Sequence, residues 1–374
     1  MMLHSKWSMV LLGTILWSGL LASHSSVSGQ DWDSLAVIPY DTPDPTAMEA
    51  KDGSGLYVFS TNPGITISRS RNMMDWTRLE KVFPENIPAW AKTKIPGANT
   101  IWAPDIVRLN GQYYLYYSVS TFGSQRSVIG VATNQTLNPD SPDYQWIDQG
   151  MVLESDPRYT DYNAIDSAMF VDADGRAYLF WGSYWTGIKA VEIDATTGKP
   201  FAYQSFTSAH GTDQIDGENE QDALKIPVDY VAVARRDGAD TSLEAAYVIR
   251  RHDWYYLFTS RGSCCNGVES SYHIVIGRSE SPLGPYLDRD GKRLDAGGGT
   301  LLLESSERWK GTGHNAVFQT NDADGTHDWL ILAAYDAMAP EKGRLAQIRP
   351  LTWSHDGWPE IGEIVQTPLD SRNN

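Results

Sequence analysis

Five places in this chain carry polar residues suited to proton transfer or cation binding at a recurring phase: Asp44, Asp105, Asp166, Glu244, and Asn315 with His314 beside it. Counted from 44 to 314, they are separated by 61, 61, 78 and 70 residues. Carboxylates gathered in one space repel each other, so at least one is expected to hold its proton well above the usual carboxylate range. A protonated carboxylic acid paired with an ionised carboxylate is the equipment for glycosidic hydrolysis. One group protonates the leaving oxygen and the other works on the opposite face of the sugar. A single Asp at such a place would serve to brace its own local turn, whereas several at one phase of a repeat point to a shared site.

The elements that must position these residues repeat with them. Each copy starts with a short apolar segment bearing the polar residue, continues through a turn, and ends in an aromatic strand closed by small residues. The first runs from Pro43-Asp44-Pro45 through Asp52-Gly53 to Leu56-Tyr57-Val58-Phe59-Ser60. The second runs from Ala103-Pro104-Asp105 through Asn110-Gly111 to Tyr113–Ser118, and the third from Ala164-Ile165-Asp166 through Asp174-Gly175 to Ala177–Gly182. The fourth joins Leu243-Glu244-Ala245 to Trp254–Phe258 through Arg251-His252-Asp253, and the fifth joins Gly313-His314-Asn315 to Trp329–Leu332 through Asp324-Gly325. Asn-Gly and Asp-Gly between β-rich runs are strong hairpin signals of the type I′ kind. Further strands follow, such as Gly64–Ser68, Ser127–Val131 and Ile274–Arg278.

Sustained 3.6-residue apolar periodicity is nearly absent, so the chain reads as all-β. Five successive antiparallel sheets give a five-bladed β-propeller, in which the first strand of each blade lines a central channel and equivalent positions converge. A two-sheet sandwich would not explain why one motif heads every unit. The acidic and amide-rich insert around His210 to Lys225 reads as a solvated loop in preference to a calcium site.

Composition narrows the partners. The 374 residues carry a net charge of −17, which disfavours nucleic acid, since that partner needs concentrated basic surface. Fourteen Trp and 19 Tyr supply either core or sugar-stacking platforms. Residues 1–29 read as an export signal: Lys6, an apolar run from Trp7 to Ala22, then Val27-Ser28-Gly29 before a cut at Gln30. The run is short for a membrane span. A single catalytic domain over 30–374, secreted or periplasmic, monomeric and free of the membrane, is therefore expected.

The chain resembles glycoside hydrolase family 43, and within it the endo-α-1,5-L-arabinanases. The resemblance rests on Trp102-Ala103-Pro104-Asp105-Ile106, Tyr113–Gly123, Thr136-Leu137-Asn138-Pro139, Ser141-Pro142-Asp143-Tyr144 and Asn163-Ala164-Ile165-Asp166. It continues through Cys264-Cys265, Gly284-Pro285-Tyr286, Gly297-Gly298-Gly299 and Gly313-His314-Asn315. It implies Asp44 as the general base activating water, Glu244 as the general acid, and Asp166 as the carboxylate that orients the acid and raises its pKa. An inverting reaction on arabinan, the side chain of pectins, follows, with base and acid roughly 6.5–9.5 Å apart to admit water.

The same resemblance places His314 beside a channel cation, calcium or another; as an ordinary hydrogen-bonding residue it would need none. Trp102, Phe122, Asn163 and Ser183 match groove residues, with Asp105 and Cys264 grouped as further sugar contacts; Trp102 and Phe122 also suit blade packing. The chain departs from the family at Pro43, where a His is common, and at Ser167, at Ala246 and at Arg261-Gly262-Ser263. These departures leave open exo-arabinanase, α-L-arabinofuranosidase and β-xylosidase activities, beside a retaining hydrolase and a non-catalytic sugar-binding propeller.

Two local features stand apart. Cys264 and Cys265 are the only cysteines, and adjacent Cα atoms about 3.8 Å apart lie below the usual disulfide range, so their oxidation state is open. Asn134-Gln135-Thr136 is a glycosylation sequon for a eukaryotic secretory pathway.

Overall fold

In a computed structural model, which describes residues 36–204, 224–322 and 325–366, the chain is a five-bladed β-propeller. The leader, most of the acidic insert and Asp324 fall outside the described residues. Blade one is formed by Thr46–Glu49, Leu56–Ser60, Thr66–Ser70 and Thr77–Arg78. Blade two uses Trp102–Leu109, Gln112–Val119, Ser127–Asn134 and Ile147–Ser155, and blade three Ala168–Val171, Ala177–Trp181 and Ile188–Asp194 with two short outer strands. Blade four comprises Leu243–Arg251, Trp254–Arg261, His273–Ser279 and Thr300–Leu303. Blade five comprises Trp309–Asp322, Gly325–Asp336 and Arg344–Trp353, with Pro359–Ile361 at its edge.

The first strands of successive blades neighbour one another in a closed circle, blade five returning to blade one. Closure is made by backbone hydrogen bonds: Val37–Asp41, at the start of the described chain, pairs antiparallel with Arg344–Trp353 and completes blade five. Sequence reading did not anticipate this strand, because its partner lies some three hundred residues away and no local pattern announces it.

The aromatic runs follow from a blade being covered on both faces, which removes the polar half of the usual strand alternation. In Gln112–Val119, Tyr113, Leu115 and Tyr117 pack towards blade one, while Tyr114 and Tyr116 pack towards blade three. In blade four, Tyr256 and Phe258 face blade five, whereas Tyr255 and Leu257 face blade three. Each such side chain fully buried contributes roughly 1.5–3 kcal/mol, so the core is a set of interblade layers. Most of the aromatic excess is therefore packing.

Several local expectations change. Both residues of Asn110-Gly111 have positive φ, as a type I′ turn needs, but at Asp52-Gly53 and Asp174-Gly175 only the glycine does. The one α-helix among the described residues is the short Ala89–Lys94. Asn134 is buried, its side-chain Oδ1 accepting the backbone N–H groups of Thr136 and Gln145, so the sequon is closed to a glycan in the fold.

Candidate active site

The heads of the five inner strands share an uncommon backbone conformation. Asp44, Ala103, Asp166, Ala245 and His314 all have φ between 41° and 56°, a left-handed region that non-glycine residues seldom occupy. Four of their N–H groups are caught by the preceding blade. Thr61 Oγ1 accepts from Ala103, Ser118 Oγ from Asp166, Asp166 Oδ2 from Ala245, and Ser260 Oγ from His314. In three of the four the small polar residues that close the aromatic strands hold the next blade's kinked head, and in blade four the preceding head, Asp166, does so.

This geometry corrects the phase read from sequence. In blade two the kinked residue is Ala103, two places before Asp105, and in blade four it is Ala245, one place after Glu244. Glu244 still reaches the cavity at the channel mouth, but Asp105 does not line it. Asp105 is buried deeper, where Oδ2 accepts the Met169 N–H at 2.8 Å and Oδ1 faces the Thr46 hydroxyl at 3.3 Å.

The cavity has a volume of about 640 Å³ and gathers Asp44, Asp166, Glu244 and His314, together with Trp102, Phe122, Asn163, Ser183 and Cys264. Phe122 is 88% exposed at its rim, as a stacking platform would be and a packing residue would not. Cys264 and Cys265 are joined by a disulfide and form part of the wall. Arg261 turns away from the cleft to the carbonyls of Gly297 and Gly298, and Asn163 Oδ1 accepts the Ser127 hydroxyl. A larger cavity, about 1020 Å³, lies at the far ends of the same inner strands and contains none of these groups.

Arg344, Thr61 and Trp185 also line the site and were missed from sequence. Arg344 opens the third strand of blade five, far from any head motif. The signal available was electrostatic: a buried carboxylate calls for a cation. Arg344 Nη1 donates to Asp44 Oδ1 at 2.8 Å, and the Thr61 hydroxyl donates to Oδ2 at 2.6 Å. The Arg344 backbone is itself fixed, its N–H on Asp41 Oδ1 and its carbonyl accepting from Thr42.

Burial alone would raise Asp44, but Arg344 and His314, with the Thr61 and Arg344 hydrogen bonds, bring it below its ordinary value. Asp166 goes the other way, raised well above its ordinary value by burial and then by Glu244 and Asp44, against the Ala245 N–H and Arg344. Glu244 is also raised, by burial first; the Ser183 and Tyr272 hydroxyls pull it down, Asp44 pushes it up and Arg344 opposes. Ser183 Oγ donates to Glu244 Oε2 at 2.6 Å. Asp166 and Glu244 thus form one titrating pair that keeps a proton at a pH where Asp44 is ionised.

His314 Nδ1 lies 3.4 Å from Asp44 Oδ1, and burial holds its imidazole below the ordinary value, with Asp44 raising it and Arg344 lowering it. Among the described residues no group of three or more His, Cys, Asp or Glu side chains is arranged around a metal. One imidazole beside a carboxylate already engaged by Arg344 and Thr61 is no cage for a dehydrated cation; a hard cation there would keep most of its water ligands.

Known proteins resemble the chain over nearly all of this architecture. It is 38% identical to an extracellular exo-α-(1→5)-L-arabinofuranosidase of Cellvibrio japonicus, over 92% of this chain and 96% of that protein. It is 34% identical to an extracellular endo-α-(1→5)-L-arabinanase of Bacillus subtilis, over 84% and 86% respectively. A solved α-L-arabinanase from Cellvibrio cellulosa, complexed with arabinohexaose, has a TM-score of 0.74 and 36% identity, covering 87% of this chain and 96% of its own. Residues 35–359 match the family described as glycosyl hydrolases family 43, and with its propeller and clustered carboxylates the chain belongs to that family.

Proposed function

We propose that this protein hydrolyses α-1,5-linked L-arabinan by a single displacement that inverts the anomeric centre. The observation that carries this reading is the split across one cavity: Asp44 is held ionised by Arg344, while the Asp166–Glu244 pair retains a proton. Asp44 takes a proton from a water as its oxygen attacks the anomeric carbon. The bond to O5 of the departing unit breaks, and Glu244 gives that oxygen its proton. Asp44 ends protonated and Glu244 ionised, and exchange with solvent restores both. Asp166, through the Ala245 N–H, fixes the backbone next to the acid. Trp102 and Phe122 offer aromatic faces to furanose rings. No step relies on a cation at His314, whose Nδ1 lies against the Asp44 carboxylate.

The cavity is lined by residues of several blades, from Phe122 in blade two to the Cys264–Cys265 wall in blade four, which supports binding of a chain across the reacting groups and its internal cleavage. A second reading, release of short products from a chain end, is supported by the higher identity to the relative named as an exo enzyme. Export after removal of residues 1–29 is supported by both relatives being named as extracellular. A product time course on linear arabinan, with NMR of the first-formed anomer, tests the whole. Mixed oligomers early indicate endo action and one small product indicates exo action. Retained configuration overturns single displacement, and no new reducing ends overturns the function.

A further inference from the structure

Asp105 is a fully enclosed carboxyl that the reaction above does not use. It sits in the inner strand of blade two, Trp102–Leu109, and bonds to both neighbouring inner strands. On one side its Oδ1 meets the Thr46 hydroxyl in blade one, two residues after Asp44. On the other its Oδ2 accepts the Met169 N–H in blade three, three residues after Asp166. Thr46, Asp105 and Asp166 are all buried, and Asp44 and Asp166 both carry positive φ. Backbone in that region persists where surrounding contacts over-determine it.

We propose that Asp105 is a positioning residue, a buried carboxyl that ties the strand carrying the base to the strand carrying Asp166 and never touches the sugar. Its chemistry suits the task. Burial pushes its pKa up to about 7, against the N–H groups of Met169 and Ile106 and the Thr46 hydroxyl. A group this close to neutrality acts through its acceptor geometry more than through a full charge. An amide in its place can still accept from Met169 while donating to the Thr46 oxygen, which reverses one bond and keeps both.

The proposal rests on the hydrolase reading, and the two fail differently: an inert wild-type enzyme sinks the reading, whereas this proposal is judged on variants of an active one. Steady-state kinetics on linear arabinan are measured for Asp105→Ala, Asp105→Asn and Thr46→Val, with thermal unfolding as a check on folding. Asp105→Ala is expected to lower kcat by about thirtyfold with KM within about threefold, because a small misplacement of reacting groups is felt in the transition state. Asp105→Asn recovers kcat to within about threefold of wild type, and Thr46→Val, which removes one tie, falls between the two. If Asp105→Ala does not fold, Thr46→Val against Asp105→Asn decides the matter. A raised KM at unchanged kcat, an Asn variant as impaired as the Ala variant, or wild-type kinetics in the Thr46 variant each overturn the proposal.

Discussion

Asp44 and Glu244 are both buried carboxylates at the heads of inner strands, yet the two sides of the cavity treat them in opposite ways. Blades five and one surround Asp44 with the Arg344 guanidinium, the Thr61 hydroxyl and the edge of His314. Blades three and four surround Glu244 with another carboxylate and the Ser183 and Tyr272 hydroxyls, and no cation among the described residues pairs with it. Burial raises both groups to begin with, and the neighbours decide the outcome. On the proposed mechanism, one side therefore builds a base and the other an acid from the same kind of residue. The division is set by where each blade sends the cation at the head of its third strand: Arg344 in blade five enters the cavity, whereas Lys189 in blade three lies 3.8 Å from Asp161 and does not line it.

Removing either carboxylate gives the largest expected effect and tests the division directly. Asp44→Ala should lower kcat on arabinan by roughly a thousandfold or more, and by as much on an aryl arabinofuranoside with a good leaving group. Glu244→Ala should match that loss on arabinan but lose far less on the aryl substrate, whose leaving oxygen needs no proton. Steady-state rates of the two variants on the two substrates check this. Equal losses on both substrates for Glu244→Ala would mean it is not the acid.

The next effect is smaller and reads the cation. With Arg344→Met the guanidinium and its hydrogen bond are gone, while burial still pushes the Asp44 pKa upwards. Asp44 acts when ionised, so the acidic limb of kcat/KM should move to higher pH, with plateau kcat down by about ten- to a hundredfold. A pH–rate profile at fixed ionic strength measures it, with His314, Asp166 and Glu244 the other titrating neighbours of Asp44. An acidic limb that stays in place would show that Arg344 grips substrate and leaves the base untouched.

How much of this was legible in the sequence follows from the range of the interactions. The blades were legible because each is a local unit: head, turn and aromatic strand lie within one repeat, and burial on both faces leaves a continuous apolar run such as Tyr113–Val119. Asp44, Asp166, Glu244 and His314 were legible as site residues because the repeat carries them to one mouth of the channel. Asp105 was misplaced because the kink in blade two falls at Ala103, and two residues further on the strand carries its side chain deeper, below the cavity. Arg344 and the closing strand Val37–Asp41 were not legible, since each acts through partners at the opposite end of the chain. The disulfide at Cys264–Cys265 was left open on backbone spacing, and only the structure joins the pair.

Ser183 yields the smallest effect and the sharpest one for the acid side. From sequence it was a groove residue, yet its hydroxyl donates to Glu244 Oε2. That bond favours the ionised acid and works against burial, so losing it should raise the Glu244 pKa further. Glu244 acts when protonated, so Ser183→Ala is expected to carry the alkaline limb of kcat/KM upwards by about one pH unit or less, the scale of one hydrogen bond to a charged group. Tyr272 and Asp166 remain beside the acid and keep the change small. Plateau kcat should stay within about fivefold of wild type, since the proton donor itself is retained. A limb that moves downwards would contradict the assigned bond. A raised KM with both limbs fixed would instead return Ser183 to the sugar, and the hydroxyl seen on Glu244 would then be its resting place between substrates.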